Sequence, residues 1–339
     1  MADNAAAKTI RSVQYDVIGT DAGNRGMKSL IVDNDLQQSA YVLAKLAKRS
    51  TVIVLSGFPC CVTQDPPTET DGPPGTYAIA RAAYALGHNV IVVTDTCNEA
   101  VYQAALENLS LPNLSEDATD DESKQTPISL QVFPSTLHDD DEQRLQQLIK
   151  ACDLVVSCER AGPGKDGICY TMRGINMNEK GLIAPLHRFV TERKGKDRVP
   201  FIAIGDGGNE LGMGKVLSKI IDNPKIPKGE LIGCAISADY LISASVSNWG
   251  GYALAATAAL AKAESESSGD KTREGLLLHW VNQCVPTEKE EIDLLNRCVA
   301  AGCRDGVSGK MEATVDGMPL ETSLQCLRDI RSTVLACEL

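Results

Sequence analysis

The tightest constraint on this chain is a pair of short, β-branched runs with apolar centres, residues 51–56 (TVIVLS) and 89–94 (NVIVVT), with an alanine-rich segment between them. Alternating hydrophobicity would leave one face of a sheet in water, whereas continuous β-branched runs require burial on both faces. The intervening residues 77–86 read as a helix, and Gly87 is placed to cap its C-terminus. The pattern then predicts a helix over 99–108, a strand over 128–133, a helix over 140–152, and strands over 154–157, 201–204 and 231–237. From Pro286 the chain reads as helical, 302–319 as a Gly/Asp-rich loop or hairpin, and 320–336 as a last helix. Strand alternating with helix implies an α/β class: a mainly parallel sheet flanked by helices on both faces, in three layers.

With 339 residues, 43% of them hydrophobic, the chain has length for two domains or one large α/β unit. The reading adopted is one domain over 1–339, carrying surface insertions at 111–126, which is acidic and proline-punctuated, and 262–274 (KAESESSGDKTRE). A net charge of −12 argues against nucleic acid and anionic membranes, both of which reward clustered Lys and Arg. The partner expected is a small molecule, and no oligomeric state is specified. No apolar run approaches the roughly 20 residues that span a bilayer. Residues 1–13 lack a signal-peptide core, and with Asp3 present and arginine scarce they make at most a weak transit peptide. Cytoplasm or mitochondrial matrix is the expected location. The 12 cysteines include no CxxC pair, and neither Cys60-Cys61 nor Cys298/Cys303 has zinc-site spacing. Cys152, Cys158, Cys234 and Cys326 sit in apolar surroundings, where a free thiol behaves as a small hydrophobe.

Ligands of such sheets bind beyond the C-terminal strand ends, so the segments that follow strands are the place to look for chemistry. After 51–56 comes Glu69-Thr70-Asp71-Gly72-Pro73-Pro74-Gly75, in which the prolines open a helix and leave the acids at its positive end. After 154–157 come Glu159-Arg160, Asp166 and Arg173, arginines beside glycines that suit bidentate carboxylate or phosphate binding, or else internal salt bridges to Glu159 and Asp166. After 201–204 comes Gly205-Asp206-Gly207-Gly208-Asn209-Glu210-Leu211-Gly212, richer in glycine than a tight turn requires. Its amides could form an anion nest at a helix N-terminus, but Asp206 and Glu210 imply a ligand that also carries positive charge. His88, His138, His187 and His279 read as structural; there is no GxxxxGK[ST], and Gly205-Asp206-Gly207-Gly208 is not a true GxGxxG.

Taken in order, Phe58, Glu69 to Gly75, Glu159 to Gly162, Asp166-Gly167, Met172-Arg173-Gly174 and Gly205 to Lys215 resemble the D-glutamate cyclase family. The resemblance extends to Arg25-Gly26, Ala238-Asp239-Tyr240, Ser247-Asn248-Trp249-Gly250 and Thr314-Val315-Asp316-Gly317, and so covers most of the chain. It implies a lyase that removes water from D-glutamate to give 5-oxo-D-proline, and the preference for the D-enantiomer rests on it alone. It also implies relatives that join this domain to another, beside which this chain reads as the domain by itself.

Cyclisation needs a neutral α-amine, an electrophilic γ-carboxyl and an expelled oxygen, which are acid–base and positioning tasks. The expected catalytic set is Asp206 or Glu210 to bind the ammonium and take its proton, with Glu69 or Asp71 to protonate the departing hydroxyl. Expected substrate contacts are Arg160 and Arg173 on carboxylate oxygens and the Gly207 and Gly208 amides on the oxyanion, together with Asn209, Thr70, Gly72, Glu159, Asp166 and Asn248. No cofactor is expected, although Mg²⁺ or Mn²⁺ could occupy the hard oxygen ligands Glu69, Asp71, Asp206 and Glu210. Two other classes fit the same loops: a Mg-dependent nucleotide or sugar-phosphate enzyme, and a non-catalytic amino-acid-binding protein.

Overall fold

The computed structural model describes residues 5–109, 111, 128–266 and 273–338. In chain order it begins α1 (Ala5–Ser12), α2 (Asp35–Lys45), β1 (Thr51–Gly57), α3 (Pro73–Ala85), β2 (Asn89–Asp95), α4 (Glu99–Leu106) and β3 (Ser129–Phe133). It continues with α5 (Asp139–Ala151), β4 (Leu154–Arg160), the short α6 (Arg188–Thr191), β5 (Phe201–Gly205), α7 (Leu217–Ile221), α8 (Gly229–Ile232) and β6 (Tyr240–Ser243). Then come α9 (Ser247–Glu266), α10 (Arg273–Cys284), α11 (Glu288–Ala300), a hairpin of β7 (Thr314–Val315) and β8 (Met318–Pro319), and α12 (Leu320–Leu335).

Six strands pair in parallel in the order β3-β2-β1-β4-β5-β6. Successive residues of a strand face opposite sides, and the burial follows that period. Val52, Val54, Val92, Val156, Ile202 and Ile204 pack under α3, α9 and the C-terminal helices, while Ile53, Leu55, Val93, Val155 and Ala203 pack against Leu145 and Ile149 of α5 and Ile220 of α7. These are the two cores of a three-layer α/β fold. Helix α9 explains its own composition: 16 of its 20 residues are buried, and small alanines let it lie against α2, α3, α10 and α12 at once. Strand order reverses between β1 and β4, so the chain leaves their C-terminal ends in opposite directions and a crevice opens there.

One strand assignment is corrected. The sixth strand is β6 at Tyr240–Ser243, and the apolar run 231–237 lies outside the sheet. Gly233 packs tightly there, and the run is strapped across the β5 loop by Cys234 N–H donating to Gly208 O at 3.0 Å and Gly214 N–H donating to Ile236 O at 3.0 Å. Most of the first expected insertion falls outside the described residues; of the second, 262–266 complete α9 and 273–274 begin α10. Nine of the 12 cysteines are buried and all are free thiols. Among the described residues no helix is long and apolar enough to cross a membrane.

Candidate active site

At the β1/β4 switch point lies a cavity of about 300 Å³. Its acid-bearing walls are Glu69 from the β1–α3 loop, Glu159 from the end of β4, Asp206 from the loop after β5, and Asp316 from the β7–β8 turn. Arg25 reaches in from the segment before α2, and Arg173 stands exposed at the mouth.

Each wall is set by local chemistry. The Asp21 carboxylate accepts from the amides of Gly26 (2.6 Å) and Met27 (3.0 Å), and Asn223 Nδ2 donates to Arg25 O at 2.9 Å, so the turn that presents Arg25 is pinned on both sides. The guanidinium pairs with Asp206 and lies 3.3 Å from Asp316 Oδ2. Asp316 and Gly317 have φ of 53° and 74°, the mirror-image turn that joins two strands through an Asp-Gly pair. Asp305 clamps this hairpin, accepting from Ser308 N and Gly317 N (both 2.7 Å) and from Thr314 Oγ1 (2.8 Å). Glu159 sits at a φ of 44°, a conformation seldom taken by non-glycine residues, and its carboxylate accepts from Ser247 Oγ at 2.6 Å. Against Glu69 the chain comes so close that a Cβ on Gly306 would lie 1.9 Å from Oε2.

The glycine-rich loop does form an anion nest, with its own occupant. Glu210 accepts from the amides of Asp206 (2.7 Å), Gly207 (2.5 Å) and Gly208 (2.7 Å), and Gly208 has the positive φ of 101° that such a nest demands. The Gly207 and Gly208 amides are therefore satisfied within the loop, not turned toward a substrate oxyanion. A 3₁₀ turn over Gly214–Val216 leads into α7 at Leu217, so a helix follows the loop as expected.

Several other candidate residues build the floor instead of facing the cavity. Asp71 accepts from Ser247 N and Asn248 N, both at 2.8 Å, and so caps α9. Asn248 answers through Oδ1, which accepts from Gly72 N (2.9 Å) and Gly75 N (2.8 Å) at the start of α3, and through Nδ2, which donates to Thr70 O. Thr70 Oγ1 donates to Thr314 O at 2.7 Å. Arg160, expected on a substrate carboxylate, is 1% exposed and turned into the protein, where it pairs with Asp95 and donates to Ala184 O at 2.9 Å. Asp166 accepts from Tyr170 Oη (2.7 Å) and Ile168 N (3.0 Å) apart from the cavity lining. Asn209 lines the cavity, with Nδ2 donating to Tyr170 O at 2.7 Å. The structure thus brings Glu69, Glu159, Asp206, Asn209 and Arg173 to one cavity and adds Arg25 and Asp316. Both additions lie in motifs that carried the family resemblance, but neither follows a sheet strand, so a search of strand ends passes over them.

The electrostatics follow from crowding. Burial, then the charges of Asp316 and Asp71, pushes the Glu69 carboxyl well above the usual range. Burial, then Glu210 and Asp71, does the same to Glu159. Asp206 is also held well up by burial, against the pull of Arg25. Asp71 is raised to about 8 by burial and Asp316, although two amides draw it down. Such crowding favours the protonated carboxyl, so the site can donate protons as well as accept them. Two carboxylate trios, Asp71–Asp206–Asp316 and Glu159–Asp206–Glu210, bring oxygens within 4.8 Å of one another. Among the described residues Asp316 Oδ2 is buried without a hydrogen bond, and the Arg25 guanidinium lies 3.3 Å from it. That arrangement favours a cationic occupant.

The human protein named "D-glutamate cyclase, mitochondrial" is 31% identical over 345 residues, an alignment that takes in 95% of this chain and 51% of the human protein. The chain therefore spans about half the length of that relative. Residues 15–331, which include every residue placed at the cavity, match the family described as "D-glutamate cyclase-like, C-terminal", and the chain belongs to that family.

Proposed function

We propose that the chain is a D-glutamate cyclase-type hydro-lyase, converting D-glutamate to 5-oxo-D-proline by attack of the α-amine on the γ-carboxyl carbon and loss of one water. The observation that carries the reading is the cavity in which Glu69, Glu159 and Asp206, all with raised carboxyl pKa values, surround the Arg25 guanidinium. Asp206 faces the ammonium and takes a proton as the amine becomes nucleophilic, while Arg25 turns from its own acids to a substrate carboxylate. Arg173 at the mouth receives the second carboxylate in bidentate fashion. Glu69 or Glu159, protonated because it is buried among acids, hands its proton to the departing hydroxyl so that it leaves as water. Glu210, Asp71, Asn248 and Arg160 hold the frame and touch no reacting atom.

A second reading assigns a divalent cation, Mg²⁺ or Mn²⁺, to the carboxylate trios, whose oxygen donors suit a hard ion. It would supply Lewis-acid polarisation of a carboxyl oxygen. We rank it below direct contact with the ammonium; activity lost to a chelator and restored by a divalent ion would reverse the order. By analogy with the human relative's name, the mitochondrial matrix is the proposed location.

The deciding experiment incubates the protein with D- and L-glutamate and detects 5-oxoproline by chiral chromatography. Product from the D-enantiomer is expected. A folded protein that is stabilised by glutamate yet yields no product from either enantiomer is an amino-acid-binding protein, and stabilisation by ATP with Mg²⁺ alone would move the assignment to nucleotide chemistry.

A further inference from the structure

The cavity mouth carries a feature that cyclisation does not use. Cys60 and Cys61 are adjacent in sequence, both half-buried, both lining the cavity, with Sγ atoms 3.8 Å apart. Nine of the other cysteines are buried, and the third half-buried one, Cys97, donates to Leu182 O at 3.3 Å outside that lining. Arg173 lines the same cavity as Cys61, the positive charges of Arg304 and Arg173 favour the Cys61 thiolate, and the Cys60 thiol is hydrogen-bonded to the Glu69 carboxyl. This is an electropositive, accessible thiol with a second sulfur in reach, the arrangement that makes a cysteine reactive and gives it a resolving partner.

We propose that Cys60 and Cys61 form a reversible oxidation site for peroxides at the mouth of the cavity. The Cys61 thiolate sulfur attacks one peroxide oxygen, the O–O bond breaks, and the leaving hydroxide takes a proton to become water, with a sulfenic acid left on Cys61. The Cys60 sulfur then attacks the Cys61 sulfur; the S–S bond forms, the S–O bond breaks, and a second water departs with the Cys60 proton. Two thiols lose two electrons and one peroxide is reduced to two waters. A thiol reductant reverses the step by exchange.

The chemistry supports both halves of the cycle. Hydrogen bonding from Cys60, then the two guanidiniums, brings the Cys61 thiol down to about 7 against the opposing effect of burial, while burial lifts Cys97 to about 12. At neutral pH a large share of Cys61 is thus the reactive thiolate. Neighbouring Cα atoms stand about 3.8 Å apart, closer than the roughly 4.4–6.8 Å that disulfides prefer, so the bridge stays easy to reduce.

The test uses the full chain at pH 7 with one equivalent of hydrogen peroxide, then alkylation by iodoacetamide and mass spectrometry of the peptide that holds both cysteines. The expected result is loss of two hydrogens from that peptide, regained with dithiothreitol, roughly tenfold or more ahead of oxidation at any other cysteine. Cys61→Ser should abolish the bridge without shifting the melting temperature, and Cys60→Ser should stop at a Cys61 sulfenic acid trapped by dimedone. Phenylarsine oxide, which binds paired thiols, should block the wild-type oxidation. Prior oxidation of Cys97, full alkylation of both cysteines after peroxide, or a bridge that survives in Cys61→Ser would overturn the proposal. Because the readout is mass, it stands whatever product the cavity makes.

Discussion

Replacing Glu210 with Gln separates the proton-carrier role expected from the sequence from the loop-anchoring role seen in the structure. The carboxylate accepts three backbone amides, two at Oε1 and one at Oε2. Hydrogen bonds to a charged group contribute about 1.5–3 kcal/mol each and neutral ones about 1. A carboxamide keeps its oxygen for the Asp206 and Gly207 amides at reduced strength and turns an NH₂ toward the Gly208 N–H, which is left unsatisfied at a further 1–3 kcal/mol or so. The net destabilisation is about 2–7 kcal/mol. Unfolding entropy of ~2.1 cal/mol/K per residue over 339 residues gives ~0.7 kcal/mol/K, so the melting temperature should fall by ~3–10 °C. Differential scanning calorimetry with parallel turnover assays measures both quantities. Activity lost with the melting temperature unchanged would refute the anchoring argument and return Glu210 to the proton-transfer chemistry.

Asp206→Asn should leave the fold intact by circular dichroism and abolish 5-oxoproline formation; near wild-type turnover removes Asp206 from the mechanism. Arg25→Met strands Asp206 and Asp316 without their cation, and since breaking a buried pair costs about 3–5 kcal/mol, the melting temperature should drop by ~4 °C or more along with turnover. An unchanged melting curve would show that the pair is solvated. Gly306→Ala places a methyl 1.9 Å from Glu69 Oε2, so Glu69 must shift; overpacking of about 1–3 kcal/mol and at least a tenfold fall in kcat are expected, and unaltered kcat would place Glu69 outside the chemistry. Asp71 binds its proton more tightly folded than unfolded, with its pKa raised from 3.8 to about 8, and Glu69, Glu159 and Asp206 are shifted the same way. Their contribution to stability is complete below the unfolded values and is lost as pH rises through the folded ones. The melting temperature of the free protein should decline between pH 5.5 and 8, read by calorimetry, and a flat or rising profile would contradict the assigned shifts.

The parallel sheet was legible because burial on both faces leaves a continuous apolar signature, and β1, β2 and β5 fall within a residue of the runs that marked them. The run at 231–237 misled for the same reason: a strap packed over a loop is as apolar as a strand, and composition alone does not tell which partner supplies its hydrogen bonds. At the site, loops that follow strands were readable, but pairings across long separations were not. Arg160 looked like a ligand-binding arginine because Asp95, its partner, ends a different strand 65 residues away. Arg25 and Asp316 approach from opposite ends of the chain, and their meeting at 3.3 Å is a property of the fold that no local pattern encodes. The Asp-Gly pair at 316–317 announces a turn, but not what the turn faces.

The reciprocal capping of α3 and α9 by Asp71 and Asn248 has a consequence for how this site can change over evolutionary time. The floor is welded to two helices buried along most of their length, so a substitution there is felt as misfolding before it is felt as altered chemistry. The rim, formed by residues 60–64, 172, 173, 175 and 307–309, borders the same cavity without that burden. Selection for a different small acid can therefore rewrite the rim while the floor stays fixed, and relatives with new substrates should differ from this chain chiefly there.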